Sequence, residues 1–135
     1  MKPIMSIDYG EVRIGIAISD ELGIVAKPLK VIKNKKNVEY EILEIVKKYN
    51  VGKVIIGVPY WEHPTSIVDK IKNFIEKLRK IINVDIELVN EFYSTKIAQQ
   101  KLASLGKKLK KYKKNIDSYA ACVILQDYLD SITTK

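Results

Sequence analysis

The sequence contains very little of what disulfide-stabilised and membrane-spanning proteins need. It has one cysteine, Cys122, which excludes an internal disulfide. Its surroundings, AACVIL, are typical of a small buried hydrophobic residue in a reducing compartment. No apolar run approaches the roughly 18 residues of a membrane-spanning helix, and the N-terminal residues lack the apolar region of a signal peptide. We therefore expect a cytosolic protein with no membrane partner.

Negative charge is also scarce relative to positive charge. The 135 residues include 16 Asp and Glu against 24 Lys and Arg, which gives a net charge of +8. A basic surface favours an anionic partner, most often a nucleic acid, although an acidic protein surface or an anionic lipid would fit the same charge. The length and a hydrophobic content of 47% suit one domain spanning residues 1–135 with a single core.

Apolar spacing predicts three strands followed by alternating helices and strands. The first two strands flank a short turn that contains Gly10, as in an antiparallel hairpin. Pro28 in the third strand suits a sheet edge or a bulge. Helical periodicity and buried apolar runs then alternate along the chain. The predicted elements are strands 3–8, 12–19, 24–32, 51–59 and 84–89 and helices 38–49, 66–82, 94–105 and 116–131.

This order of elements predicts an α/β fold, with a five-stranded mixed sheet flanked by helices on both faces. Ligands of such sheets bind at the carboxyl ends of central strands. Three acidic residues fall at suitable positions: Asp8 ends the first strand, Glu91 follows the fifth and Asp117 opens the last helix. Taken singly, each also has a structural explanation, as a turn residue, a solvated loop charge and a first-turn helix residue respectively.

Four segments of the chain carry a more specific signal together than any does alone. They are IDYGEVRIGIAISD, VIIGVP, NEFYST and KKNIDSYAACVILQDYL, in this order. Over nearly the whole chain they resemble the YqgF/RuvX-like family, which is named for Holliday junction resolution and pre-16S rRNA processing. The resemblance implies an RNase H-like fold and an acidic site that binds Mg²⁺ or Mn²⁺ and cleaves phosphodiester bonds. Matched motif by motif, the family's carboxylates fall on Asp8, Glu91 and Asp117.

The implied site has a clear chemical rationale. Hard divalent cations prefer oxygen ligands, and carboxylates with water and phosphate oxygens are a usual set for Mg²⁺. Two ions about 3.5–4 Å apart would neutralise the acidic cluster, activate a water and stabilise the leaving oxygen. We expect Asp8 to bridge the two ions, with Glu91 and Asp117 each completing the ligand shell of one.

The chain departs from the family pattern in two places. Asn90-Glu91-Phe92 stands where Asp-Glu-Arg is usual, so an acidic neighbour and a phosphate-binding guanidinium are missing. The loop PYWEHPTS stands where a glycine-containing loop is usual. Its Tyr60 and Trp61 either stack on unpaired bases or pack over the end of the sheet.

Basic residues near the acidic positions suggest contacts with the phosphate backbone. Arg13 resembles the family's basic residue after the first turn, where it would contact the scissile phosphate or form a structural ion pair. The segment KKLKKYKK immediately precedes the Asp117 motif and is either a solvated loop or a backbone-binding element. Its lysines are Lys107, Lys108, Lys110, Lys111, Lys113 and Lys114.

We therefore expect a metal-dependent nuclease of structured nucleic acid, acting on the 5′ end of pre-16S rRNA, with a ribosomal precursor particle as its partner. Two alternatives stay open: a resolvase of four-way DNA junctions, and a non-catalytic RNA-binding factor of ribosome assembly. The first turn also resembles the phosphate-binding turn of actin-like ATPases. Those enzymes close a cleft between two domains, whereas this length supplies one.

Overall fold

The computed structural model describes residues 2–58, 66–90 and 116–133. In these ranges the apolar patterns form five strands and three helices, with bounds within a few residues of those expected from the sequence. The strands are β1 Ile4–Asp8, β2 Arg13–Ser19, β3 Ala26–Lys33, β4 Lys53–Val58 and β5 Asp85–Asn90, and the helices are α1 Val38–Lys48, α2 Ser66–Ile81 and α3 Ile116–Thr133.

The strands form one mixed sheet in the order β3-β2-β1-β4-β5. β1 pairs with β2 in antiparallel and with β4 in parallel orientation, and β4 pairs in parallel with β5. The predicted mixed sheet is therefore confirmed, with β1 at its centre. The carboxyl ends of β1, β4 and β5 meet at one edge of the sheet, which we call the carboxyl edge.

Helices cover both faces of the sheet, also as predicted. On one face, α1 and α2 bury residues such as Ile42 and Leu78 against Met5, Ile7 and Ile56. On the other face, the centre of α3 packs Ala121, Leu125 and Leu129 against residues such as Ile4 and Ile55. Residues on both faces of β1 and β4 are buried, because helices cover the sheet from both sides. The expected single core is thus two apolar layers, one on each side of the sheet.

Strand β3 differs slightly from its predicted bounds because of the turn before it. The Asp20 carboxylate accepts hydrogen bonds from the main-chain N–H groups of Ile24 (2.7 Å) and Val25 (3.1 Å), which holds these residues in the turn. Pro28 then lies in an edge strand, next to an irregularity in the β2–β3 register. The edge position and the irregular register, either of which was expected to accommodate this proline, are therefore both present.

The predicted helix 94–105 lies outside the described residues. Within the ranges given above, none of the helices combines the length and the apolar character that crossing a membrane requires.

Candidate active site

Asp8 is the last residue of the central strand, and its side chain is partly buried. Its neighbours in the sheet are Gly15 on β2 and Gly57 on β4. Residues in register point to the same face of a sheet, so a carboxylate at this position has glycine on both sides. No side chain of the two adjacent strands therefore lies directly beside Asp8.

Helix α3 covers the face of the sheet on which Asp8 lies. The buried Ser6, two residues before Asp8 on the same face, donates a hydrogen bond from Oγ to the main-chain oxygen of Ala121 (2.6 Å). At the other end of β1, Lys53 at the start of β4 donates to the hydroxyl of Tyr128 (2.7 Å). The helix therefore runs antiparallel to β1 and begins at the carboxyl edge.

The direction of α3 brings the backbone of Asp117 toward Asp8. Asp117 is the second residue of α3 and precedes Ala121 by one turn, about 6 Å along the helix axis. Asp8 follows Ser6 by about 6.6 Å along the strand. Asp8 on the strand and Asp117 on the helix thus lie at similar distances from the Ser6–Ala121 hydrogen bond, both in the direction of the carboxyl edge. The Asp117 side chain lies outside the described residues.

Close packing fixes α3 against β4 beside this edge. A Cβ atom added to Gly57 would lie 2.6 Å from Cδ1 of Ile124 and 3.3 Å from its Cγ1. Any side chain at position 57 would therefore push the helix or the isoleucine away. Gly57 therefore allows α3 to approach the sheet, and Ile124 occupies the space that a side chain at position 57 would take.

The remaining acidic candidate, Glu91, follows Asn90 at the end of β5. Asn90 is in register with Val58, and Val89 is in register with Gly57, the neighbour of Asp8. The parallel strands therefore end side by side, as the sequence predicted. Glu91 itself lies outside the described residues.

Arg13 lies beside the turn that follows Asp8. It is exposed at the start of β2, opposite Lys33 on β3. Asn34 braces the turn through two hydrogen bonds, from its side-chain nitrogen to the oxygen of Gly10 (2.8 Å) and from its main-chain N–H to the oxygen of Val12 (2.9 Å). A Cβ at Gly10 would overlap the main-chain oxygen of Arg13, which explains the glycine in this turn.

Several predicted contact residues fall outside the described part of the chain: Tyr60, Trp61, Lys107, Lys108, Lys110, Lys111, Lys113 and Lys114. Among the described residues, no group of three or more His, Cys, Asp or Glu side chains is close enough to hold a metal ion. Asp8 is the member of the expected acidic set whose side chain is described. A carboxylate oxygen is a suitable ligand for a hard divalent cation.

One basic feature of the carboxyl edge was not expected from the sequence. Lys35, Lys36 and Lys77 lie around Tyr9, the residue after Asp8. These lysines come from the β3–α1 connection and from α2, so no single run in the sequence contains all three. The KNKKN segment that contains Lys35 and Lys36 was the available clue.

Two groups outside the expected acidic set have raised pKa values. Lys53 donates to Glu87 (2.8 Å) and to Tyr128, and these hydrogen bonds hold the pKa of Lys53 above its ordinary value of 10.5. Burial raises the pKa of the Cys122 thiol, on α3, to about 12. A thiol with so high a pKa is almost entirely protonated at neutral pH, which agrees with the predicted structural role of Cys122.

Comparison with known proteins agrees with this architecture. The family model described as "RuvX: Holliday junction resolvase" matches residues 2–131. A protein of Rickettsia peacockii named "Putative pre-16S rRNA nuclease" is 42% identical over 137 residues, which cover 96% of this chain and 87% of the relative. One of the same name from Fusobacterium nucleatum is 40% identical over 136 residues, covering 96% and 98%.

Solved structures of resolvases share the fold. Thermus thermophilus RuvC in complex with a Holliday junction substrate superposes with a TM-score of 0.66 at 12% identity, covering 98% of this chain and 96% of that one. Fowlpox virus resolvase with Holliday junction DNA gives a TM-score of 0.59 at 23% identity, covering 96% and 98%. The expected RNase H-like fold is thereby confirmed. On the family match and the identity to its relatives, the chain belongs to the RuvX family, described as Holliday junction resolvases.

Proposed function

We propose that this protein is a metal-dependent nuclease that cleaves phosphodiester bonds of structured nucleic acid, with the 5′ region of a 16S rRNA precursor as its substrate. The observation that carries the proposal is the position of Asp8. It ends the central strand between two glycines, on the face and at the edge where α3 begins. The names of the family and of the relatives support the nuclease class, and those of the relatives support the rRNA substrate.

In this proposal Asp8, Glu91 and Asp117 hold two Mg²⁺ or Mn²⁺ ions. Val89, two residues before Glu91, lies on the sheet face of Asp8, and Asp117 lies one helical turn from the residue bonded to Ser6. Three carboxylates from β1, β5 and α3 would thus converge from different elements on one edge. Bound divalent ions supply an activated water and stabilise charge on the leaving oxygen.

The chain's own residues have two further roles in the proposal. Arg13 and the lysines of segment 107–114 bind the phosphate backbone and orient the scissile bond, without reading base sequence. Tyr60 and Trp61 stack on unpaired bases next to the cleavage site. A nuclease of rRNA precursors would act on ribosomal precursor particles in the cytosol.

Two other functions have specific support. A resolvase of four-way DNA junctions is favoured by the family description and by the two resolvase folds solved with junction DNA. A non-catalytic RNA-binding factor of ribosome assembly is favoured by Asn90 and Phe92, which replace the family's usual acidic and basic neighbours of Glu91. Both would retain a basic surface.

One cleavage experiment distinguishes the three candidate functions. End-labelled RNA spanning the 5′ end of 16S rRNA with its precursor leader, and separately a four-way DNA junction, are incubated with the protein in Mg²⁺, Mn²⁺ or EDTA. We expect metal-dependent RNA products. Symmetric cuts in the junction with intact RNA would assign the resolvase, and binding without cleavage in either metal would refute the nuclease.

A further inference from the structure

A second concave surface opens at the carboxyl edge, on the face covered by α1 and α2. It is a groove of about 240 Å³ whose lining includes Tyr9, Lys35, Lys36, Glu39, Lys70 and Lys77. We call it the lysine groove. Its walls are the start of α1 and the middle of α2.

The lysine groove is strongly positive. Its lining has four lysines and one acidic residue, Glu39, so its net charge is +3. Lys70 is partly neutralised by Glu11, whose carboxylate is 3.4 Å from the lysine Nζ. Lys35, Lys36 and Lys77 are exposed, and no ion pair involves them within the ranges that the structure describes. Three cations are thus available to an anionic ligand.

The helix geometry adds to this charge. Helix α1 begins at Val38, which also lines the groove. The main-chain N–H groups of a first helical turn carry partial positive charge, and phosphate groups bind at such positions. Asn37, the N-cap residue, makes no side-chain hydrogen bond to them, whereas the main-chain N–H groups of Val38 and Tyr40 donate to the oxygens of Lys35 and Asn37 (both 3.1 Å). The exposed lysines and the start of the helix therefore both attract an anion, whereas the Glu39 carboxylate repels it.

The groove is continuous with the candidate active site through one residue. Tyr9 follows Asp8 in the chain and packs on Phe74 of α2, with ring centroids 5.0 Å apart. Because successive strand residues point to opposite faces, Tyr9 faces the groove while Asp8 faces α3. The two surfaces thus meet at the carboxyl edge, on either side of the sheet. A polyanion that passes over the turn after β1 would contact both.

We propose that the lysine groove binds the sugar–phosphate backbone of the nucleic acid substrate, on the side of the sheet opposite to the acidic site. This inference rests on the proposed function, because that function makes the polyanion a nucleic acid. Lysine contacts of this kind position a substrate and are independent of its base sequence. To contact both sites, the substrate must extend from the bond that is cut to the groove on the opposite face of the sheet.

Binding measured without cleavage tests the groove. The probe is a fluorescein-labelled RNA hairpin with single-stranded flanks, titrated by fluorescence anisotropy in EDTA between about 50 and 200 mM KCl. The triple variant Lys35→Gln, Lys36→Gln, Lys77→Gln is compared with a matched triple at the far ends of the helices, Lys47→Gln, Lys48→Gln, Lys80→Gln. Both lose three exposed positive charges, so only their location differs. Circular dichroism confirms that both are folded.

We expect the groove variant to bind about 10- to 100-fold more weakly at the higher salt concentration, with a salt slope smaller by about 2 to 3. The control variant should stay close to wild type. A third variant with arginine at the three groove positions retains the charge and should retain affinity. Equal affinities and slopes for the groove and control variants would overturn the inference.

The same preparations separate this inference from the proposed function. Wild type is tested for cleavage in Mg²⁺ and Mn²⁺. If it cleaves RNA but the groove variant binds as the control does, the groove assignment fails and the nuclease stands. If the groove variant loses binding but wild type cleaves nothing, the proposed nuclease activity is refuted, and the groove is still supported as a nucleic-acid-binding site. Absence of any wild-type binding would overturn the groove assignment directly.

Discussion

The contact between Gly57 and Ile124 makes a quantitative prediction about how α3 is held beside Asp8. In Gly57→Ala, the new Cβ would lie 2.6 Å from Ile124 Cδ1, so this methyl group must move by about 1 Å to reach ordinary contact. Overpacking of this kind costs about 1–3 kcal/mol. The lower backbone entropy of the unfolded alanine chain offsets about 0.4–1 kcal/mol of this. We therefore expect Gly57→Ala to lower the free energy of unfolding by about 1 kcal/mol.

A second substitution removes the atom that clashes. Ile124→Val deletes Cδ1, leaves Cγ1 at 3.3 Å as the nearest atom, and by itself costs about 0.5–1.5 kcal/mol. In the double variant the alanine methyl occupies space that Cδ1 has left. We expect the free energy of unfolding of the double variant to fall by at most about 1 kcal/mol, whereas the two single costs add to about 2 kcal/mol. The coupling energy between the two positions is therefore about 1 kcal/mol.

Urea and thermal unfolding measure this coupling. At about 2.1 cal/mol/K of unfolding entropy per residue, 1 kcal/mol corresponds to about 3–4 °C in Tm for this chain. As a control, Gly57→Ala is combined with Ile71→Val, a buried position in α2 on the other face of the sheet, where the two costs should add. Additive costs for Gly57→Ala and Ile124→Val would refute the close contact between β4 and α3.

Three further predictions concern single groups. Lys53→Met should lower the free energy of unfolding by about 0.5–1 kcal/mol, because it removes the partly exposed contacts with Glu87 and Tyr128. Since the folded pKa of Lys53 is raised, its contribution is complete below pH 10.5 and decreases above it, so the difference between wild type and variant in urea unfolding should shrink as pH rises from 10 to 12; a constant difference would contradict this. Cys122, with its raised pKa and complete burial, should react with iodoacetamide only on unfolding, and rapid alkylation of native protein would contradict its position. Ser6→Ala removes a buried hydrogen bond to α3 and should cost about 1 kcal/mol by thermal unfolding, whereas an unchanged Tm would argue against that bond.

Much of the fold is readable from the sequence because its signals are local. The period-2 and period-3.6 apolar patterns predict the described strands and helices, and the rule for parallel strands brings the ends of β1, β4 and β5 to one edge. The family resemblance was confirmed by the family match. The roles of Asp8, Glu91 and Asp117 in metal binding stay predictions.

Features that depend on packing between distant segments were not predicted. The clash that keeps position 57 as glycine involves Ile124 on α3, which is far from Gly57 in the sequence. The lysine groove joins Lys35 and Lys36 with Lys77, which no sequence window contains together. The run of lysines at 107–114 is recognisable in the sequence because it is contiguous, whereas charge that is assembled by the fold leaves no such signal.

Cleavage by an Asp8→Asn variant tests the central claim most directly. The substitution keeps the size of the side chain and removes its negative charge, and loss of residues that merely support metal ligands already costs about 10- to 100-fold. The matched control is Asp85→Asn, an exposed aspartate at the opposite end of β5. We predict that Asp8→Asn lowers metal-dependent cleavage of precursor RNA by at least about 100-fold, with binding in EDTA retained and the control as active as wild type. Cleavage by Asp8→Asn at the wild-type rate would contradict the account.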